Sequence, residues 1–383
     1  MFKLFHNCNV YTAAGQVIEN GKVFVVKGKI KAVGKDIIPP EGTTEIDLQG
    51  CNLLPGFIDA HTHLGIEEEC IGAPGADTNE ATDPVTPHLR ALDAINPLEA
   101  GLTDALSGGV TAVAAGPGSA NVLGGSFVAY KTFGRCIDEM VVKEPVAMKC
   151  AFGENPKRVY GKDKKLPSTR MGTAALLRQA LSEAGEYAKK KSLARSAATT
   201  PFNMKLEALL PVLDKKIPLK VHAHRADDIL TAIRIAKEFD VDITIEHCTD
   251  GELIADILYR ENYPVIIGPT LTSRSKVELT NKAFRTAVVL NKKGLKMALT
   301  TDHPVIPIQH LIICAALAIR EGMSESEALR AITLYPAQIL GVDERIGSIE
   351  IEKDADFVVI EGDPFDVRSR VVATYIEGKK VFG

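Results

Sequence analysis

The run Phe57-Ile58-Asp59-Ala60-His61-Thr62-His63 carries two imidazoles at i and i+2. On an extended backbone such side chains point to one side, so both rings can reach one metal ion. An HxH pair alone also arises by chance on surfaces. Here a mostly apolar stretch, Leu53 to Ala60, delivers the pair to the C-terminal end of an expected strand, and that placement favours metal binding. Other ligand types fall in the same register. His222 and His224 close the run from Leu219, His247 follows Asp242–Glu246, and Asp302 follows Lys296–Thr300. The 25 residues from His222 to His247 make about one strand–helix repeat, and the 55 from His247 to Asp302 hold two more. Imidazoles and a carboxylate at the same end of separate strands are hard to obtain from structural histidines alone.

The elements that must position them alternate between short apolar runs and helical stretches. The strand candidates are Gly56–Ala60, Val110–Ala115, Phe127–Lys131, Val146–Phe152, Leu219–His222, Asp242–Glu246, Val265–Gly268 and Lys296–Thr300. Helical segments include Ala174–Lys191, Asp227–Phe239, Leu253–Glu261, Lys282–Lys293 and Pro307–Glu321. Eight strand-then-helix units over about 280 residues predict a (β/α)8 TIM barrel of the α/β class across residues 56–340. Phe127–Lys131 is the weakest unit, being short and poorly bounded. A doubly wound open sheet is the alternative, but no GxGxxG follows the first strand. Both chain ends read as short strands between glycine turns, which predicts one small β-sandwich domain from residues 1–55 and 341–383, with two separate β-caps as the alternative.

Composition narrows the function. Forty-five Lys+Arg against 49 Asp+Glu gives a net charge of −4, too balanced for an electrostatic nucleic-acid binder. Aromatics are 5% and Trp is absent, which argues against a stacking platform for single strands. The seven cysteines (8, 51, 70, 136, 150, 248 and 314) lack CxxC spacing, so they read as core residues in a reducing compartment. The start, MFKLFHNCNV, is too short and polar for a signal peptide, and no apolar run suits a membrane span. The expectation is a cytoplasmic enzyme acting on a small molecule, with no nucleic-acid or membrane partner and with homo-oligomers as the general rule.

The chain resembles the metal-dependent amidohydrolase superfamily, with the imidazolonepropionase-related and prolidase-like branches nearest. The matching residues are PGFIDAHTH (55–63), VHAH (221–224), IEH (245–247), TTD (300–302), TLYPAQILG (333–341) and GSIEIEKDADFVVIEGDP (347–364). The resemblance implies His61, His63, His222, His247 and Asp302 as ligands of one or two divalent ions. Zinc suits an imidazole-rich set, with manganese or iron as alternatives. Relatives bridge two metals either with a carboxylated lysine on the fourth strand, here Lys149, or with a glutamate just past it, here Glu154. Glu154 is preferred at this point because it lies at a strand end and needs no modification. His224 could bind metal, and orienting substrate is the favoured role. His303 reads as a residue just behind the ligands or at the rim, while His6, His88 and His310 have no identifiable partners.

The implied reaction is attack of an activated water on a C–N bond of an amide, cyclic amide or dipeptide, with Asp302 as general base and then acid. Deamination of an amino-heterocycle is the alternative. Family deaminases carry a Glu shortly after the strand-five histidine, and residues 223–227 contain none. A non-catalytic scaffold is a third reading, disfavoured because all five ligand positions are filled. The loop 115–125 lacks the Lys-Ser/Thr of a P-loop, so it reads as substrate-facing. Arg158, Arg225 and Arg274 follow strands and could hold a substrate carboxylate.

Overall fold

A computed structural model describes residues 2–69, 71–193 and 201–383; Cys70 lies outside the described residues. The first five strands are β1 (Phe2–Val10), β2 (Ile18–Val26), β3 (Lys29–Gly34), β4 (Thr44–Asp47) and β5 (Asn52–Pro55). The next eight are β6 (Phe57–Thr62), β7 (Val110–Ala115), β8 (Leu123–Lys131), β9 (Val141–Ala151), β10 (Leu219–Ala223), β11 (Ile243–His247), β12 (Val265–Ile267) and β13 (Met297–Leu299). These eight form one sheet in chain order. Its two ends are tied by His63 N donating to His303 O at 2.8 Å, with Thr300 Oγ1 lying 2.7 Å from His61 O. Side-chain alternation separates two cores. Val113, Val128, Met148, Val221, Ile245, Val265 and Leu299 face the helices, while Ala112, Phe127, Ala147, Ile266 and Ala298 pack inside the ring with Leu340 and Ile346 beneath them. The helix Ala226–Phe239 shows the complementary pattern: Ile229, Ala232, Ile233 and Ala236 bury one stripe.

One unit departs from the expected repeat. The third strand begins at Leu123 and runs antiparallel to both β7 and β9, with no helix before it. Residues 116–122 are too few for a parallel crossover, which needs about a dozen or more, so the chain must turn back. Loop 116–122 therefore stays at the same end as the strand termini that carry the histidines.

The chain ends supply β14 (Phe357–Glu361), β15 (Arg370–Ile376) and β16 (Lys379–Phe382). They join the first five strands in one continuous mixed sheet, β16-β15-β14-β5-β1-β2-β3 with β4 on β1, so the hydrogen-bonded path is a single sheet rather than the two of the expected sandwich. Residues Asn52–Pro55 pair with Phe357–Ile360, joining the two termini directly. Strand β14 faces two cores at once: Phe357 and Val359 pack with Phe5, Val23 and Tyr375, whereas Val358 and Ile360 pack on the barrel. Among the described residues, no helix is long and apolar enough to cross a membrane.

A buried ion cluster fastens this sheet to the barrel. Lys131 Nζ at the end of β8 reaches Asp354 at 2.8 Å, Asp356 at 3.3 Å and Glu377 at 2.8 Å. Without Lys131, buried Asp356 is left with no cation in reach, whereas Asp354 keeps Lys29 and Arg345. Lys131→Met is expected to cost about 3 kcal/mol in denaturant unfolding, and adding Asp356→Asn should recover part of it; an unchanged midpoint in the single variant would show that the cluster contributes nothing.

Candidate metal centre

Strand geometry decides which side chains enter the barrel mouth. On β10, Lys220, His222 and then His224 point inward, while Leu219, Val221 and Ala223 join the outer core. On β9, Lys149 shares the inward side with Ala147. Two strand ends leave the extended conformation. His247 sits at φ 71° and Asp302 at φ 54°, the left-handed region that non-glycine residues seldom occupy. These turns aim His247 and Asp302 across the mouth, and the bonds described next hold them there.

Each ring nitrogen has a defined task. His63 Nδ1 lies 2.8 Å from Gly116 O, and His247 Nδ1 lies 2.6 Å from Gly268 O. A carbonyl only accepts, so both rings carry their proton on Nδ1 and keep a lone pair on Nε2. Glycine is required beside each: a Cβ at 116 would strike the Phe127 ring at 2.2 Å, and one at 268 would strike Thr300 O at 2.2 Å. His61 Nδ1 meets Glu246 Oε2 at 2.7 Å, which fixes the same tautomer. His224 Nδ1 meets Thr249 Oγ1 at 2.8 Å.

The free ends converge. Ligand atoms of His61, His247 and Asp302 lie within 4.8 Å of one another, as do those of His222, His224 and His247. Asp302 Oδ1 is 3.5 Å from His61 Nε2 and 3.4 Å from His63 Nε2. Burial drives His61, His222 and His224 well below the usual imidazole range and His247 down to about 4, so the rings are neutral donors at pH 7. Burial pushes the Asp302 carboxyl up, but His63, 3.4 Å away, with His247 and Lys149 nearby, holds it below its ordinary value. His222 Nε2 and Asp302 Oδ1 are buried with no hydrogen-bond partner. Buried polar atoms are seldom left so. Neutral nitrogens and a carboxylate converging on a space they do not fill suit a divalent ion.

The two bridging candidates are placed differently. Lys149 Nζ lies inside the barrel, 3.2 Å from His61 Nε2, and burial lowers it to about 8. Glu154 opens the helix Glu154–Gly161 and is engaged elsewhere: its N donates to Glu278 Oε2 and its Oε1 accepts from Glu278 N, both at 3.0 Å. His303 is buried beside Asp302 and accepts from Ile308 N at 3.2 Å. His6 lies on the small sheet, 3.6 Å from Glu45. Arg225 pairs with Asp227 at 2.9 Å.

Three supporting groups escaped the sequence reading. Glu246 gathers His61 Nδ1, Lys220 Nζ at 3.0 Å and Thr244 Oγ1 at 2.5 Å. Lys220 is a second buried lysine in register with Lys149. Asp59 accepts from Thr300 Oγ1, Thr301 N, Thr301 Oγ1 and His61 N at 2.6–3.1 Å, pinning the end of β13 to β6. Burial raises its carboxyl to about 6 against those four donors. Charged residues interrupting otherwise apolar strand runs were the available signal. Glu278, in the loop after β12, is also buried, with Oε1 3.9 Å from His224 Nε2.

Two outcomes follow from this arrangement. Glu246→Gln combined with Lys220→Met, so that no charge is left alone, should weaken divalent-metal affinity about 10–100-fold in chelator competition; unchanged affinity would remove Glu246 from the site's support. In metal-free protein, His247 and His303 have folded values of about 4 against 6.5 unfolded. The unfolded state therefore binds more protons between those values. Stability is full above pH 6.5 and declines as pH falls toward 4, which urea midpoints at pH 7, 6 and 5 would read; a flat profile refutes it.

The sequence model of the amidohydrolase family matches residues 52–381. A crystal structure of an amidohydrolase from Thermotoga maritima superposes with a TM-score of 0.96 at 47% identity, covering 99% of each chain. An imidazolonepropionase from Pseudomonas fluorescens is 23% identical over 94% of this chain and 92% of its own. Amidohydrolase tasK from Hapsidospora irregularis is 29% identical over 94% of this chain, which spans 40% of that protein's length.

Proposed function

The chain belongs to the amidohydrolase family, and from that premise we propose that it hydrolyses a C–N bond of an amide, cyclic amide or dipeptide. The observation that carries this reading is the convergence of two ligand groups on the shared His247, with His222 Nε2 and Asp302 Oδ1 left without partners. His61, His63, His222, His247 and Asp302 would hold one or two divalent ions, zinc first given the imidazole-rich set and manganese or iron next. Lys149, as its CO₂ adduct, is the better-supported bridging ligand, because Nζ stands 3.2 Å from His61 Nε2 whereas the Glu154 carboxylate is engaged by Glu278. A bound divalent ion supplies Lewis acidity toward a carbonyl oxygen and lowers the pKa of water toward roughly 7.

The chain's own groups then have separate tasks. Asp302 Oδ1 sits within 3.5 Å of two imidazoles and is held ionised, so it can take a proton from the attacking water. The same oxygen returns that proton to the leaving nitrogen. His224, braced by Thr249, faces the mouth from beside His222 and orients substrate. Burial of the surrounding rings excludes bulk water. Ring deamination stays as the second reading on one observation: Glu278 Oε1 is a carboxylate oxygen 3.9 Å from His224 Nε2, although residues 223–227 contain no Glu.

Metal-loaded protein should release amine from N-acyl and dipeptide panels; ammonia release from amino-heterocycles instead would select deamination, and neither would defeat the reading. Asp302→Asn is expected to lower kcat about 10²–10⁴-fold. Native mass measurement should show one added CO₂ that Lys149→Met abolishes, and a full loss of bound metal in Glu154→Gln instead would restore Glu154 as the bridge.

A further inference from the structure

Arg158, Arg274 and Lys276, with Glu154, Ser275 and Val277, line an open cavity of about 600 Å³ beside the metal centre. The cavity is joined to the centre by short steps. Lys276 Nζ is 3.6 Å from the buried Glu278 Oε1, and that oxygen is 3.9 Å from His224 Nε2. Lys276 is held in place by Asn155 Oδ1 at 2.8 Å, and Asn155, itself buried, donates to Ser119 Oγ at 2.7 Å. The reciprocal Glu154–Glu278 bonds clamp the loops after β9 and β12 on either side. Gly153, at φ 82°, is required for that clamp, since a Cβ there would meet Glu278 Oε2 at 2.7 Å.

Charge in this cavity is out of balance. Neither arginine pairs with a carboxylate among the described residues, and the Arg158 guanidinium has no hydrogen-bond partner among them. Arg274 spends Nε on Thr280 O and Nη2 on Lys282 O, both at 3.0 Å, which fixes its loop and leaves Nη1. The one carboxylate in the lining, Glu154, is already engaged by Glu278 N. Glu278 Oε1, ion-paired with Lys276 but accepting no hydrogen bond among the described residues, lies between the cavity and the centre. We propose that this cavity binds an anionic group, a carboxylate or a phosphate, carried on the amine side of the scissile C–N bond, with Glu278 accepting the substrate's N–H. The inference rests on the C–N hydrolysis reading and narrows it to substrates whose leaving amine is acidic.

Three matched sets separate the sources: N-acetyl amino acids, their C-terminal amides, and N-acetylethanolamine phosphate. Metal-loaded protein should prefer one of the anionic sets over the amides, the preferred set naming carboxylate or phosphate. Arg158→Gln and Arg274→Gln should each cut that preference about tenfold through KM, with melting temperatures confirming the fold. Lys157→Gln removes the same charge one position away, outside the cavity, and should leave the preference as it was. Equal rates on acids and amides, or a preference that survives the double arginine variant, would overturn the proposal. If no set is cleaved, the hydrolysis reading fails separately. Calorimetry with succinate and inorganic phosphate then decides the cavity: binding lost in the double variant supports it, and binding absent or equal in both proteins defeats it.

Discussion

The carboxylate of Glu246 is the contact on which the barrel mouth depends. Five imidazoles and two lysines are packed there away from water, a set that would repel or protonate unpredictably if left unsupported. Glu246 neutralises Lys220, and by accepting from His61 Nδ1 it turns the His61 lone pair toward the centre. The carbonyls of Gly116 and Gly268 do the same for His63 and His247 without adding charge. One tautomer is thereby imposed on three rings, which is what presenting nitrogen lone pairs to a cation requires.

Asp59 plays the matching part for the strand ends. Its four accepted hydrogen bonds draw Thr300 and Thr301 against β6, and Asp302 follows them into the mouth at a left-handed turn. Burying a carboxylate that lacks a cationic partner is costly, and four donors offset that cost only in part, as the raised value of about 6 records. The small sheet adds support from the far side: β14 serves two cores, and the Lys131 cluster closes the seam.

Much of this was legible in the residues. The HxH at 61–63, the histidines at 222 and 247 and the aspartate at 302 stood out because each follows a short apolar run, and period-two alternation carries such residues to a strand end. The direction of β8 was less legible: its apolar composition is the same in either direction, and the short 116–122 connection was the one signal. Glu246, Lys220 and Asp59 were passed over because one sequence does not tell an inward charged position from an outward one.

The sequence by itself determined the architecture's repeat, the strand ends that bear ligand types and the family they resemble, because apolar periodicity and local spacing are properties of the chain. Tertiary structure alone decided which of those groups meet. Lys149 and Glu154 are five positions apart, and the residues alone favoured Glu154 for its place at a strand end. Folding places one amine 3.2 Å from His61 and gives the other side chain to the loop bearing Glu278, 124 residues away. That choice is set by inward parity on β9 and by a glycine turn at 153, and both take effect only once the neighbouring strands are in register.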